Sequence, residues 1–212
     1  MRQVKLNHLY PLIKYCYCFF VTIFTVVFYA PLMKYKGFPQ FSYLPSFHGV
    51  NGSILCGRGL KVRGRLRHDF DDPFSFGFLG IGDDVSIDGD GRISPRGGAI
   101  KIGSRVFIGR DCFIQAVSGV SIEIGDDVLV AHNVTIVSSN HVFSDRYLPI
   151  NQQGEQGQGI LIGSNVWIGC NVTILDGVSI GEGSVIAAGA IINRNIPPFS
   201  VATGNGVVKK MR

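Results

Sequence analysis

An aliphatic residue recurs at every sixth position over long stretches of this chain, and that period constrains the fold more than any other feature. Ile162, Ile168, Ile174, Ile180, Ile186 and Ile192 keep the spacing strictly, with Gly163, Gly169, Gly181 and Ala187 following four of them. Ile124, Val130 and Ile136 form a second run. Ile102, Ile108 and Ile114, then Ile81, Ile87 and Ile93, lie upstream, and Ile54, Leu60 and Leu66 make a weaker series. A period of six suits neither a helix, which repeats at about 3.6, nor a half-buried strand, which alternates at two. It describes a short extended side followed by a bend, and three such sides close a triangular coil of about eighteen residues. Coils stacked at ~4.8 Å place each aliphatic on its counterpart one coil later and build a continuous core.

The runs parse as coils at 54–71, 81–98, 102–119, 124–141, 162–179 and 180–197, the first of them irregular. The 28 glycines suit the corners, where a bend needs unusual backbone angles. Charged residues are 17% of the chain against a usual ~25%, too apolar a composition for disorder. Two interruptions break the phase. Residues 120–123 shift it by four, a small bulge. Residues 142–161 abolish it with a polar stretch that includes Gln152, Gln153, Gln156 and Gln158. A long excursion from a regular solenoid is usually functional, and His141 stands at its base.

Several segments together carry a family resemblance: Ser138-Ser139-Asn140-His141 opening the polar loop, the run from Ile162 through Trp167 and Cys170 to Ile174, and Val185 through Ala188, Asn193 and Arg194 to Pro198. They resemble the hexapeptide-repeat acyltransferases, above all the galactoside, maltose and nodulation sugar O-acetyltransferases and their polysaccharide relatives. The resemblance covers residues 80 to 206. It implies an all-β, left-handed parallel β-helix, against the general right-handed rule for crossovers. It also implies a homotrimer with active sites in the clefts between prisms, and acetyl-CoA as the acyl donor.

Under that resemblance His141 matches the catalytic histidine. A sugar hydroxyl is too weak an acid to attack a thioester at neutral pH, so a positioned imidazole that takes its proton is worth ~10² to 10⁴ in rate. Asp145 and Glu155 are the loop carboxylates that could orient the ring. Trp167 matches a tryptophan lining the cleft near the pantetheine thiol, although a lone Trp also caps corners and packs between subunits. Cys170 and Ala188 match small positions along which the pantetheine runs, and Asn193 and Arg194 match a Thr-Lys pair near the nucleotide end. Coil packing and a solvated corner charge explain these four residues equally well. The chain departs from the family pattern at Gly204-Asn205-Gly206, where relatives carry a proline. Lys209, Lys210 and Arg212 are candidates for coenzyme A phosphates, with a loose basic tail as the equal alternative.

The N-terminal third differs from the rest. Residues 1–67 hold ten of the twenty Lys and Arg and none of the fifteen Asp and Glu. Tyr15 to Met33 is uncharged, with tyrosines near both ends and Lys14, Lys34 and Lys36 beside it, and as a helix it would span ~28 Å. Tyr29-Ala30-Pro31 is a poor signal-peptidase site. A spanning helix, an interfacial helix and a helix packed on protein remain, and balanced flanking charges set no orientation. Lys61, Arg63, Arg65 and Arg67 alternate so that a strand there would present one basic face. The domain reading is a membrane-associating segment at 1–36, a connecting region at 37–79 with an irregular first coil, the β-helix at 80–200 with loop 142–161 extruded, and a basic tail at 201–212.

Five cysteines with no regular spacing make neither a disulfide framework nor a metal motif, and fit a reduced compartment. A zinc β-helix needs three converging histidines, and the coil body at 80–200 carries only His132 and His141. No metal and no nucleic-acid partner are expected. His132 lies nine residues before His141, half a coil away, on a different side of the prism. An N-acetyltransferase of nucleotide amino sugars and a noncatalytic or metal-binding scaffold are the alternatives, but no GxGxxG unit precedes the repeat. The expected protein is an acetyl-CoA-dependent O-acetyltransferase acting on a sugar or lipid-linked glycan of a surface polysaccharide. It is expected on the cytoplasmic side of a bacterial inner membrane, or in the cytoplasm if the N-terminal segment packs on protein.

Overall fold

The computed structural model describes residues 33–35, 40–41, 46–48, 52–63, 67–69, 77–117, 119–204 and 207–210. The apolar run from Tyr15 lies outside them except at Met33. Among the described residues no helix is long and apolar enough to cross a membrane.

Three parallel sheets form the sides of a solenoid. The first holds strands including Gly77–Ile81, Ala99–Ile102, Ser121–Ile124, Ile160–Ile162 and Ser179–Ile180. The second holds Ser86–Asp88, Phe107–Ile108, Leu129–Val130, Trp167–Ile168 and Val185–Ile186, and the third Arg92–Arg96, Phe113–Val117, Thr135–Ser138, Thr173–Ile174 and Ile191–Ile192. The aliphatics of the period stack as expected. Ile81 pairs with Ile102, Ile102 with Ile124, Ile124 with Ile162 and Ile162 with Ile180. All five are buried, as are Ile87, Ile108, Val130, Ile168 and Ile186 on the second side. Burial of each such side chain is worth ~1.5–3 kcal/mol, repeated along one axis.

The sheets reach further toward the N-terminus than the period suggests. Met33–Tyr35 pairs with Gly52–Cys56 in the first sheet, Gln40–Phe41 with Lys61–Arg63 in the second, and Ser46–His48 with Arg67–Asp69 in the third. Residues 37–79, read as a connecting region with an irregular first coil, supply strands to all three sheets, and His48 and His68 sit on strands of the third. Toward the C-terminus, Ser200–Thr203 joins the second sheet and pairs antiparallel with Val207–Lys210, within the stretch read as a tail.

The corners explain how one period tolerates insertions. First to second sheet and second to third are six residues throughout, as in Ile102, Ile108 and Ile114. Third to first varies: nine residues from Ile93 to Ile102, ten from Ile114 to Ile124, twenty-six from Ile136 to Ile162 and six from Ile174 to Ile180. All the surplus chain of these coils leaves at that one corner. At the two tight corners one residue adopts a left-handed backbone: Asp84, Arg105, Asp127 and Asn165 at the first, Asp111, Asn133 and Asn171 at the second. Asn and Asp tolerate that region better than most residues because a short polar side chain bonds locally. Arg105 is the exception, and its guanidinium is paired with Asp127 at 2.6 Å and 2.8 Å. Those bonds hold the Asp127 carboxyl below its usual range.

Candidate active site

His141 stands where the longest insertion leaves the prism. Thr135–Ser138 carries the third sheet to the variable corner, and Asn140–His141 then pairs antiparallel with Glu155–Gln156, so that an arm leaves and returns through one short ladder. The arm folds on itself. Val142 N–H donates to Gly154 O at 3.0 Å, and Gln153 Nε2 donates to the carbonyls of Asp145 and Leu148 at 2.8 Å and 2.7 Å. Its exterior is apolar as well as polar, with Phe143, Tyr147 and Ile150 exposed.

Asp176, at the same corner one coil later, holds the returning chain. It accepts from the backbone N–H groups of Gln158 at 2.8 Å and Gly159 at 2.9 Å, and from Asn140 Nδ2 at 3.2 Å. Gly157 must be small, since a Cβ there would strike the Ser138 carbonyl oxygen.

The imidazole of His141 is 60% exposed, and its Nε2 lies 4.0 Å from Glu155 Oε1. Of the two loop carboxylates, Glu155 is therefore the one across the ladder from the histidine. Asp145 is spent inside the arm, its Oδ1 accepting from Tyr147 N–H at 2.8 Å. Glu155 in turn accepts from Arg96 Nη2 through both carboxylate oxygens, at 3.1 Å each.

The other predicted residues divide among three places. Asn193 and Arg194 follow Ile191–Ile192 at the variable corner, in the column of His141, and both are exposed. Trp167 projects from the second sheet, 54% exposed, between Leu129 and Val185 in register. Cys170 and Ala188 lie at the corner between the second and third sheets, where Asn171 N–H donates to His132 O and Gly189 N–H to Cys170 O. Lys209 pairs by its backbone with Val201. One chain therefore does not gather His141 with Trp167, Cys170 and Ala188, because they occupy different edges of the prism.

The edge that carries Cys170 and Ala188 continues N-terminally into a hollow of about 700 Å³ lined by Arg63, Asp88, Asp90, Phe107, Arg110, Asp111 and His132. Sequence reasoning missed it, because its residues come from coils about twenty residues apart with no motif among them. His132 has a structural role there, its Nδ1 accepting from Arg110 N–H at 2.9 Å. Cys112 beneath this edge donates to Ala131 O at 3.2 Å, and burial pushes its thiol above the usual range, so it stays protonated. No group of three or more metal-ligating side chains occurs among the described residues.

Two repeat families match the coils on either side of the arm. Residues 159–194 match the bacterial transferase hexapeptide (six repeats), and residues 100–138 match the hexapeptide repeat of succinyl-transferase. The coils on both sides of the arm are therefore built of hexapeptide repeats of the kind found in bacterial transferases. His141 and its arm fall between the two matched stretches.

This hexapeptide-repeat chain is 31% identical over 155 residues to a Mycobacterium tuberculosis protein named a "probable acetyltransferase", covering 73% of the chain and 48% of that relative, and so spans about half its length. Among solved structures it is similar to the polySia-specific acetyltransferase NeuO, at 25% identity and a TM-score of 0.57, over 85% of this chain and 80% of that one. It shares its fold with AntD, an N-acyltransferase from Bacillus cereus, at 20% identity and a TM-score of 0.57, over 78% and 84% of the two chains. The repeats and these likenesses bear out the resemblance to the hexapeptide-repeat acyltransferases.

Proposed function

We propose that the chain is an acetyltransferase that moves an acetyl group from acetyl-CoA to a sugar hydroxyl, with His141 as general base. The observation that carries this reading is the exposed imidazole at the root of an arm on a hexapeptide prism, with a carboxylate across the ladder from it. In the step proposed, the ring nitrogen turned away from Glu155 takes the hydroxyl proton as the oxygen attacks the thioester carbonyl. The tetrahedral intermediate collapses with loss of the coenzyme A thiolate, which recovers that proton from the imidazolium. The products are the acetyl ester and the free thiol.

The separation of His141 from Cys170 and Ala188 on one chain supports a homotrimer, in which His141 of one prism works against the Trp167, Cys170 and Ala188 edge of its neighbour. On that edge the pantetheine would run past Ala188 and Cys170 toward His132. Asn193, Arg194 and Lys209 would meet the nucleotide end. The hollow at Asp88, Phe107 and Asp111 then lies beyond the acyl group and suits a saccharide, offering carboxylates to hydroxyls and a ring to a sugar face. NeuO acts on polySia, which supports a surface polysaccharide as acceptor. The basic, apolar N-terminal segment supports attachment to the cytoplasmic face of a bacterial inner membrane, beside lipid-linked glycans.

His141→Ala tests the reading: thiol release from acetyl-CoA should fall at least ~100-fold while circular dichroism keeps the β signal. Undiminished turnover in that variant removes the proposed base.

A further inference from the structure

We infer that Arg96, two coils upstream of His141, is a positioning residue that holds Glu155 in place against the histidine. The inference rests on the proposed role of His141 and deepens it. A carboxylate on an extruded arm has no fixed place of its own, and a Glu side chain has three rotatable bonds to lose. The Glu155 side chain is nevertheless only 26% exposed, and Arg96 Nη2 engages both of its oxygens at 3.1 Å across 59 residues of sequence.

The position of Arg96 is set by the sheet. It ends the strand Arg92–Arg96 opposite Val117, and the Gly97–Val117 bridge follows directly. Arg96 therefore leaves the rigid third sheet at the variable corner, the corner from which the arm departs. On the far side the arm is held by Asp176 through Gln158, Gly159 and Asn140. The His141–Glu155 rung is thus fastened from both directions along the prism axis: Asp176 fixes the backbone of the return, and Arg96 holds the carboxylate that lies 4.0 Å from the imidazole. The 4.0 Å gap from Nε2 to Oε1 is longer than a hydrogen bond. Such catalytic contacts often tighten when substrate binds, and a carboxylate held by a guanidinium needs to move only about 1 Å to close this one.

The test uses the full chain and four variants, Arg96→Gln, Arg96→Lys, Glu155→Gln and the exchange Arg96→Glu/Glu155→Arg. Thiol release from acetyl-CoA is followed with oligosialic acid as acceptor probe and with water alone. Trypsin cleavage after Arg146 reads the order of the arm, and circular dichroism checks the coils. Arg96→Gln should lower kcat about 10- to 100-fold with KM for acetyl-CoA within about twofold, as a base misplaced by ~1 Å does. Glu155→Gln should match it, and Arg96→Lys, which keeps the charge but places it on a shorter, strongly hydrated ammonium, should lie between. The exchange variant rebuilds the ion pair, so it should restore resistance to trypsin without restoring kcat, since a guanidinium then faces His141.

Wild-type kcat in Arg96→Gln overturns the inference, and so does an exchange variant that regains kcat, which would make Arg96 a mere fastening for the arm. A wild-type chain that releases no thiol in either assay, and whose His141→Ala variant is equally silent, overturns instead the transferase reading beneath it.

Discussion

Replacing Asp176 by Ala should release the arm while leaving the prism intact. The side chain accepts two backbone N–H groups, of Gln158 at 2.8 Å and Gly159 at 2.9 Å, and the Asn140 amide at 3.2 Å. Hydrogen bonds to a charged acceptor contribute about 1.5–3 kcal/mol each, and partial exposure of this corner puts these at the low end. About 1.4 kcal/mol is a factor of ten, so each amide should exchange with solvent roughly 10-fold faster in Asp176→Ala, and up to ~100-fold if both open together. The effect should stop there. The Gly177 N–H to Gly159 O bond of 2.9 Å remains, and coils of a solenoid depend chiefly on their neighbours, so Ile162, Ile168 and Ile174 keep their burial. Hydrogen exchange read on peptides spanning 154–162 and 163–180 separates the two regions, with Asp176→Asn, which keeps an acceptor oxygen, as the milder control. Exchange at Gln158 and Gly159 within threefold of wild type would refute the reasoning, and so would equal acceleration across 163–180.

Two further expectations concern the coils. Asn171 holds a left-handed φ of 58° and accepts from Asn133 Nδ2 at 2.6 Å. Asn171→Val should therefore cost about 1–2 kcal/mol for the backbone and about 1 for the bond, whereas Asn171→Gly should lose only the latter, read as denaturant midpoints; a Val variant as stable as Gly contradicts this. Burial pushes the Cys56 thiol from 9.0 up to about 12. The unfolded chain then gives up that proton first as pH rises, so this contribution to stability is whole below pH ~9 and is lost as pH climbs toward ~12. Cys56→Ala should flatten the fall in denaturant midpoint between pH 9 and 11, and parallel slopes in the two proteins would rule the effect out.

Much of the fold was legible because the burying signal is local. Each side of the prism is six residues, so Ile162 to Ile192 announce their own spacing without any distant partner, and the left-handed corners fall largely on Asp, Asn and Gly for a steric reason that acts within one residue. The same locality exposed residues 142–161 as an interruption and His141 as its base. The strands before residue 80 were harder to see. Their sides keep the six-residue spacing, as Tyr35, Phe41 and Phe47 and then Cys56, Val62 and His68 in the columns of Ile81, Ile87 and Ile93, but only Val62 of these six is aliphatic, and the series Ile54, Leu60, Leu66 runs two residues out of phase with them.

The rest belongs to the tertiary structure. Glu155 and Asp145 are both carboxylates of one loop, and nothing local ranks them. The antiparallel rung opposite His141 and the reach of Arg96 across 59 residues do. Likewise Asp176 reads as an ordinary corner residue until the returning arm is laid over it. A hexapeptide sequence determines the sides and bends of a coil because each is decided by a side chain and its immediate neighbours. Which corners stack, and which charges therefore meet, is decided only when coils of unequal length align along a common axis. That alignment gathers the arm, its two anchors and His141 at one edge, and leaves Trp167, Cys170 and Ala188 on other faces of the same prism.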